Sequence, residues 1–72
     1  ASQAKLSYDE AKAAALKHAG INKDDVKFLR CELDRDDGAL KYEVEFTKDG
    51  VEYEYDIDAN NGTVLWVDKD YD

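Results

Sequence analysis

The sequence predicts an α+β domain in which one N-terminal helix packs on a four-stranded antiparallel meander sheet. A helix start signal lies near residue 7, and the spacing of apolar residues then shortens from about 3.6 to about 2 residues. Short turn-forming segments that contain glycine separate the later apolar stretches. With 72 residues, the chain is long enough for one modest core. We therefore expect a single domain over residues 1–72, with its core at about 6–67.

The helix is predicted at residues 8–19. Ser7 and Glu10 fit the S-x-x-E capping box, in which each side chain bonds the backbone N–H of the other residue. The segment that follows consists of alanine, leucine, lysine and one histidine, most of which favour helix. Gly20 then supplies the left-handed residue that ends many helices. These signals define both ends of the helix.

One side of this helix is predicted to pack on the sheet. A helical wheel places Leu16 off that side and groups small residues on it, so we expect the helix to approach the sheet closely. The predicted packing residues are Tyr8, Ala11, Ala15, His18 and Ala19.

The two middle strands show the clearest alternation. Apolar residues occupy the even positions of 40–46 and the odd positions of 51–57, with mostly charged residues between them. This period of about two residues is typical of a half-buried antiparallel strand. The turn at 48–50 contains Asp-Gly, which favours a tight hairpin between the two strands.

The two outer strands are predicted at about 26–34 and 63–68. In the first, both the odd and the even positions carry apolar residues, which either a β-bulge or a twist of the strand would explain. Cys31, the one cysteine of the chain, is expected there as a buried small hydrophobe, and it cannot form a disulfide within the chain. The turns at 36–38 and 60–62 connect these strands to the middle pair.

Two acidic segments resemble calcium-binding loops in composition. Residues 56–62 offer several oxygen ligands, but an EF-hand loop needs glycine at its sixth position and glutamate at its twelfth. Here those positions hold Asn61 and Val67. The segment 34–38 has the same turn-forming composition. Ordinary turns are therefore the favoured interpretation, and we expect no metal site.

No residue pattern points to catalysis. His18 is the one histidine, so a zinc site built from several histidines is excluded. The serines lack the motifs that activate a nucleophile, and Ser7 is already assigned as a helix cap. We therefore predict that the protein is not an enzyme and that it uses no cofactor.

The acidic residues indicate the kind of partner to expect. The chain has 18 acidic and 10 basic residues, which gives a net charge of −8 and argues against nucleic acid or anionic membranes. Alternation places six carboxylates on the outward face of the two middle strands, either as a solvated surface or as one that docks a protein. They are Glu43, Glu45, Glu52, Glu54, Asp56 and Asp58.

The N-terminal region shows no hydrophobic targeting segment. It contains no apolar run of the length that a signal peptide or a membrane-spanning helix needs. We expect neither a signal peptide in this chain nor membrane insertion, and we expect a monomer.

The same residues carry a family resemblance. The motifs lie at 6–11, 15–20, 32–38, 42–46 and 53–62, over nearly the whole chain. They read Leu-Ser-x-x-x-Ala, Ala-Leu-Lys-His-Ala-Gly, Glu-Leu-Asp-Arg-Asp-Asp-Gly, Tyr-Glu-Val-Glu-Phe and Tyr-Glu-Tyr-Asp-Ile-Asp-Ala…Gly. In this order the chain resembles a PepSY domain, a small module of secreted metallopeptidase propeptides and of bacterial membrane or cell-wall proteins. Many relatives have proline where this chain has Ala39-Leu40.

The resemblance implies a cystatin-like α+β domain that restrains or regulates a peptidase outside the cytoplasm. A metallopeptidase is the partner it suggests, and the family motif contains no catalytic residue to carry over. Two alternatives stay open: a generic extracytoplasmic interaction or spacer domain, and an engineered stable scaffold without a function of its own.

Overall fold

The computed structural model describes residues 4–71 and confirms the predicted architecture. Its elements are helix α1 (Tyr8–Ala19), a single 3-10 turn (Lys23–Asp25), and strands β1 (Lys27–Asp36), β2 (Ala39–Lys48), β3 (Val51–Asp58) and β4 (Val64–Tyr71). The strands pair antiparallel in the order β1-β2-β3-β4, which is a meander. Both outer strands are longer than the sequence predicted, and β4 continues to residue 71.

The capping box at the start of α1 is confirmed. The Ser7 hydroxyl accepts a bond of 3.1 Å from the backbone N–H of Glu10, whose carboxylate accepts one of 2.8 Å from the Ser7 N–H. At the other end Gly20 has φ of 73°, and its N–H bonds the carbonyl of Leu16. Local sequence therefore determines where this helix begins and ends.

Two tight turns join β1 to β2 and β2 to β3. Asp37 and Gly38 have φ of 51° and 81°, and Asp49 and Gly50 have φ of 52° and 79°. Two consecutive residues with positive φ are the mark of a type I′ turn, whose twist matches that of paired strands. Asp-Gly suits it because aspartate tolerates the left-handed region and glycine adopts it freely.

The core lies between α1 and the two middle strands. Tyr42, Val44, Phe46, Tyr55 and Ile57 are almost completely buried, so the predicted parity of both strands is confirmed. The remaining buried core residues are Ala11, Ala15, Leu16, Leu40 and Ala59.

The predicted packing side of α1 is confirmed except at Leu16. Leu16 is buried with Ala11 and Ala15, although the helical wheel placed it off that side. Tyr8 is 50% exposed, but its ring still packs against the sheet, with its centroid 5.1 Å from that of Tyr42. His18 is exposed as well and also contacts the sheet.

Strand β1 contains the bulge that its mixed parity predicts. The register with β2 shifts between Phe28 and Arg30, so the intervening Leu29 has no Cα partner on β2. As a result, Cys31 lies opposite the buried Val44 and faces the helix. It is half-buried, not buried as predicted, because it lies on an edge strand that α1 covers incompletely.

Strand β4 is the most exposed element of the sheet. A shift in its pairing with β3 at Asp56/Ile57 leaves Leu65 without a partner on β3, which explains why successive residues of this strand are apolar. Leu65, Trp66, Val67 and Tyr71 are between 38% and 69% exposed. The helix covers the middle of the sheet and leaves this strand open.

Candidate functional site

The face of the sheet that α1 does not cover is the candidate site, and we call it the open face. Its central part is formed by β2 and β3, where Glu43 lies opposite Asp56 and Glu45 opposite Glu54. The six predicted carboxylates all have the parity opposite to that of the core residues, and each is partly exposed. The local cause is alternation along two regular strands.

The outer strands add four carboxylates that the sequence analysis did not assign to this face. Asp68 lies opposite Glu54, and Asp70 lies opposite Glu52. On the other edge, Glu32 and Asp34 of β1 lie opposite Glu43 and Lys41. The register with the middle strands identifies them, whereas the bulges and the underestimated length of β4 concealed them in the sequence.

Acidic residues therefore dominate the open face. Among the described side chains, ten carboxylates share it with three cations. The carboxylates are those of Glu32, Asp34, Glu43, Glu45, Glu52, Glu54, Asp56, Asp58, Asp68 and Asp70, and the cations are Lys27, Arg30 and Lys41.

The half of the open face formed by β1 and β2 contains all three cations assigned to that face, and one of them, Arg30, contacts three carboxylates. The Arg30 guanidinium lies 2.9 Å from a carboxylate oxygen of Glu45, 3.2 Å from one of Glu32 and 3.6 Å from one of Glu43. Desolvation lowers the pKa of Arg30, but the three carboxylates more than offset this, and the net pKa is raised. Nearby, Lys41 Nζ lies 3.1 Å from a carboxylate oxygen of Asp56.

The half formed by β3 and β4 is crowded with like charges. Carboxylate oxygens of Glu45, Glu52 and Glu54 lie within 4.8 Å of one another. Burial raises the pKa of Glu54, and the charge of Glu45, a hydrogen bond with it, and the charges of Asp68 and Glu52 raise it further. These side chains are open to solvent, and such clusters are common without a bound ion, so we assign no metal to them.

An apolar corner interrupts the open face where β4 begins. Leu65 and Trp66 line a shallow pocket together with Ala39, Lys41 and Asp56. Leu65 and Trp66 are 54% and 49% exposed. The sequence did not reveal this corner, because the bulge at Leu65 changes which residues of β4 share a face. The position of Trp66 opposite Asp56 places it on the open face.

The acidic loop before β4 forms a turn, as expected. A carboxylate oxygen of Asp58 accepts a 2.8 Å bond from the backbone N–H of Asn60. The side-chain oxygen of Asn61 likewise accepts a 2.8 Å bond from the N–H of Thr63. These oxygens stabilise the loop conformation itself, as asparagine and aspartate do in many turns.

The histidine and the cysteine both make contacts between the helix and the sheet. His18 Nδ1 lies 3.0 Å from the hydroxyl of Tyr55, so the imidazole bonds a core tyrosine. Cys31 Sγ lies 4.0 Å from the carbonyl oxygen of Tyr8. Burial raises the pKa of the Cys31 thiol, as does Asp9, whereas Lys12 lowers it. The raised pKa keeps the thiol protonated, unlike the thiolate that an activated nucleophile requires.

One helix over a meander, with an open acidic face, defines a small α+β domain. The comparison with protein families then identifies it. Residues 5–67 match the PepSY family, described as "Peptidase propeptide and YPEB domain", and the chain belongs to this family. The resemblance inferred from the sequence motifs is thereby confirmed.

Curated and structural relatives are longer than this chain. The uncharacterized protein Spy1430 of Streptococcus pyogenes is 44% identical over 61 residues, which are 85% of this chain and 47% of that protein. YkoJ of Bacillus subtilis, also uncharacterized, is 39% identical over 66 residues, or 90% and 36%. A "putative lipoprotein" from Clostridium difficile matches with a TM-score of 0.72 and 29% identity, over 90% of this chain and 40% of its own. The chain thus spans less than half of each relative.

No helix in the described residues, 4–71, is long and apolar enough to cross a membrane.

Proposed function

We propose that this domain is a non-catalytic interaction module that binds a basic surface of a partner protein through its open face. The partner we propose is an extracytoplasmic metallopeptidase, whose activity the bound domain restrains. The observation that carries the proposal is the excess of carboxylates over cations on a sheet face that no described element of the chain covers.

The charge arrangement has an energetic cost that a partner would relieve. Like charges placed directly opposite one another on neighbouring strands destabilise a sheet, and Glu45 opposite Glu54 is such a pair. Asp68 opposite Glu54 is another. A partner with lysine or arginine at matching positions would replace this repulsion with attraction. It would also be steered toward the domain at low ionic strength.

The geometry of the face suits binding better than chemistry. General acid–base catalysis needs a carboxyl group placed against a bound substrate, usually where water is excluded. Here the carboxylates lie on a broad solvated surface, and the shallow pocket at its corner is lined mainly by apolar side chains. A protein surface of complementary charge is the ligand that fits such a face.

The family and its relatives support the choice of partner and compartment. The family description names peptidase propeptides. A solved structure that shares the fold is described as a "putative lipoprotein", and lipoproteins are anchored outside the cytoplasm. Together they favour a peptidase partner in the cell envelope or outside the cell.

The test is binding and inhibition of a purified thermolysin-type metallopeptidase by the domain, at low and high salt. The key variant changes Glu43, Glu45, Glu52 and Glu54 to glutamine. A matched control changes Asp24, Asp25, Asp37 and Asp49 to asparagine. It removes the same charge from turn and 3-10 positions away from the open face.

We expect inhibition that weakens with salt, is lost in the glutamine variant and is retained in the control. Equal inhibition by both variants would show that the open face is not the binding surface. Failure to bind or inhibit any metallopeptidase would exclude a metallopeptidase as the partner. It would favour a general interaction or spacer role.

A further inference from the structure

We infer that the partner docks on the free edge of β4, as an extended segment with lysine or arginine at alternate positions. The segment adds a fifth strand to the sheet, with its basic side chains on the open face and one of them beside Trp66. This inference rests on the proposed function, because it names the partner chemistry and docking mode of the same open face.

The edge of β4 can accept another strand. In the described residues, the sheet order places β3 on one side of β4 and no strand on the other. From Trp66 to Tyr71 the pairing with β3 runs without a shift. A regular edge presents unpaired backbone N–H and C=O groups at even spacing, which is the template used in β-strand addition.

The apolar corner gives this edge side chains that a partner would bury. Leu65 and Trp66 are about half exposed at the start of β4. An exposed tryptophan among charged groups offers an apolar face and attracts cations over its ring. A lysine or arginine on the added strand would lie over Trp66 and near Asp56, which is the position opposite it on β3.

The charges along β4 specify a basic partner. On the open face, Asp68 and Asp70 stand beside Glu54 and Glu52. Lys69 does not neutralise them, because its ammonium lies 5.6 Å from the ring centre of Tyr53, on the helix side of the sheet. An added strand therefore meets carboxylates at alternate positions on one face, and alternate basic residues match them.

The edge of β1 is less acidic than that of β4. Its open-face positions hold Lys27 and Arg30 as well as Glu32 and Asp34, and Arg30 already contacts three carboxylates. The charged open-face positions of β4 are both aspartates. Each edge strand has one bulge near one end and a regular run beyond it, so regularity does not distinguish the two edges. Charge therefore favours β4.

A second copy of this chain fits the β4 edge poorly. Antiparallel self-pairing centred on Asp68 would place the two Asp68 carboxylates opposite each other. Centred on Val67, it would place Trp66 opposite Asp68 and leave no cation on the open face. Each copy also carries a net charge of −8. A different chain with basic residues avoids these repulsions.

The probe is a capped peptide of alternating lysine and valine, about eight residues long, to match the length of β4. Trp66 is the one tryptophan of the chain, so its fluorescence reports binding at the proposed position directly. We expect saturable binding that shifts the Trp66 emission and weakens with salt.

Two N-methylated peptides test the docking mode at constant charge. One carries methyl groups on the lysine amides and the other on the valine amides. Alternate residues of a strand point their N–H groups to opposite edges. The methyl groups of one peptide therefore block its hydrogen bonds to β4, whereas those of the other peptide point away from β4. We expect one peptide to bind like the unmethylated probe and the other not to bind.

Variants test the side chains, with calorimetry as the readout. Trp66→Ala should weaken peptide binding about tenfold, and Leu33→Ala, an exposed apolar position on the other edge, should leave it unchanged. Changing Asp68 and Asp70 to asparagine should weaken binding, and the same change at Asp24 and Asp25 should not.

The outcomes separate this inference from the proposed function. If both methylated peptides bind as well as the probe, the edge is not used and this inference is wrong. Metallopeptidase inhibition that still depends on the open-face glutamates would then leave the proposed function standing. Absence of any Trp66 response to the peptide, or dimerisation of the domain through β4, would also overturn this inference.

Discussion

The two faces of the sheet differ in burial and in charge, although the same strands form both. On the helix side, Val44, Phe46 and Ile57 are completely buried. On the open face, the alternate residues are mostly carboxylates, many opposite other carboxylates. One face stabilises the fold by burial, and the other carries charge that opposes it. The comparison suggests that the open face serves a purpose other than stability.

A second contrast lies within the open face. The β1–β2 half contains Arg30, which contacts Glu32, Glu43 and Glu45. In the β3–β4 half, Glu54 faces Asp68 and Glu45, and its pKa is raised. The first half nearly balances its charges, with three cations and four carboxylates among the described side chains, whereas the second leaves its carboxylates to solvent or a partner.

The largest expected effect comes from placing a charge on the buried face. Val44→Asp would bury an unpaired carboxylate and should lower the free energy of unfolding by about 4 kcal/mol or more. A domain of this size is stable by roughly 4–10 kcal/mol, so much of the protein should unfold. Chemical denaturation followed by circular dichroism measures the loss.

Thr47→Asp is the matched control on the open face. It introduces the same group between Lys27 of β1 and Glu52 of β3, so attraction and repulsion partly offset each other, and we expect a change within about 0.5 kcal/mol. Similar denaturation midpoints for the two variants would contradict the assigned orientation of β2.

The next largest effect should come from removing the shared cation. Arg30→Met keeps much of the side-chain length but leaves Glu32, Glu43 and Glu45 without their common partner. We expect a lower denaturation midpoint at low salt and a smaller difference at high salt, since salt screens the exposed carboxylates.

Lys27→Met removes a cation from the same strand without breaking an ion pair seen in the described residues, and it should have little effect. Equal losses in the two variants would mean that Arg30 acts only through its contribution to net charge.

A smaller effect of opposite sign is expected at Glu54. Glu54→Gln removes repulsion from Glu45, Glu52 and Asp68, and should stabilise the protein at neutral pH by at most about 0.5 kcal/mol. The amide group of the new side chain can also donate a hydrogen bond to Glu45.

The pH dependence of the free energy of unfolding tests whether the pKa of Glu54 is raised in the folded protein. A carboxyl group with a raised pKa keeps its proton longer in the folded protein than in the unfolded chain. The free energy of unfolding therefore falls as pH rises from the unfolded pKa through the folded one. This part of the decline should be missing in Glu54→Gln and present in Asp49→Asn, a turn variant. An unchanged profile in Glu54→Gln would show that the pKa of Glu54 is not raised in the folded protein.

The smallest expected effect is on the labelling rate of Cys31, which lies where α1 covers the sheet incompletely. Cys31 is half-buried and its thiol pKa is raised, so a thiol reagent should label it more slowly in the native protein than in denaturant. We expect a measurable native rate, slower than that of the denatured chain and not zero. Equal rates in the two states would show that α1 does not shield this edge.

Local signals in the sequence predicted most of the fold. The capping box and Gly20 determined the helix, the Asp-Gly pairs determined two turns, and alternation along 40–46 and 51–57 oriented the middle strands. Each of these features depends on residues that are near neighbours in the chain. The orientation of the six central carboxylates follows from the same alternation.

Tertiary structure alone decided how the outer strands meet the rest. Bulges at Leu29 and Leu65 depend on pairing across strands, so the sequence could not place Trp66 and Asp68 on their face. The burial of Leu16, which the helical wheel placed off the packing side, likewise depends on residues distant in the chain. Contacts between distant residues set these features, including the difference in charge balance between the two halves of the open face, because charge pairing across strands depends on register.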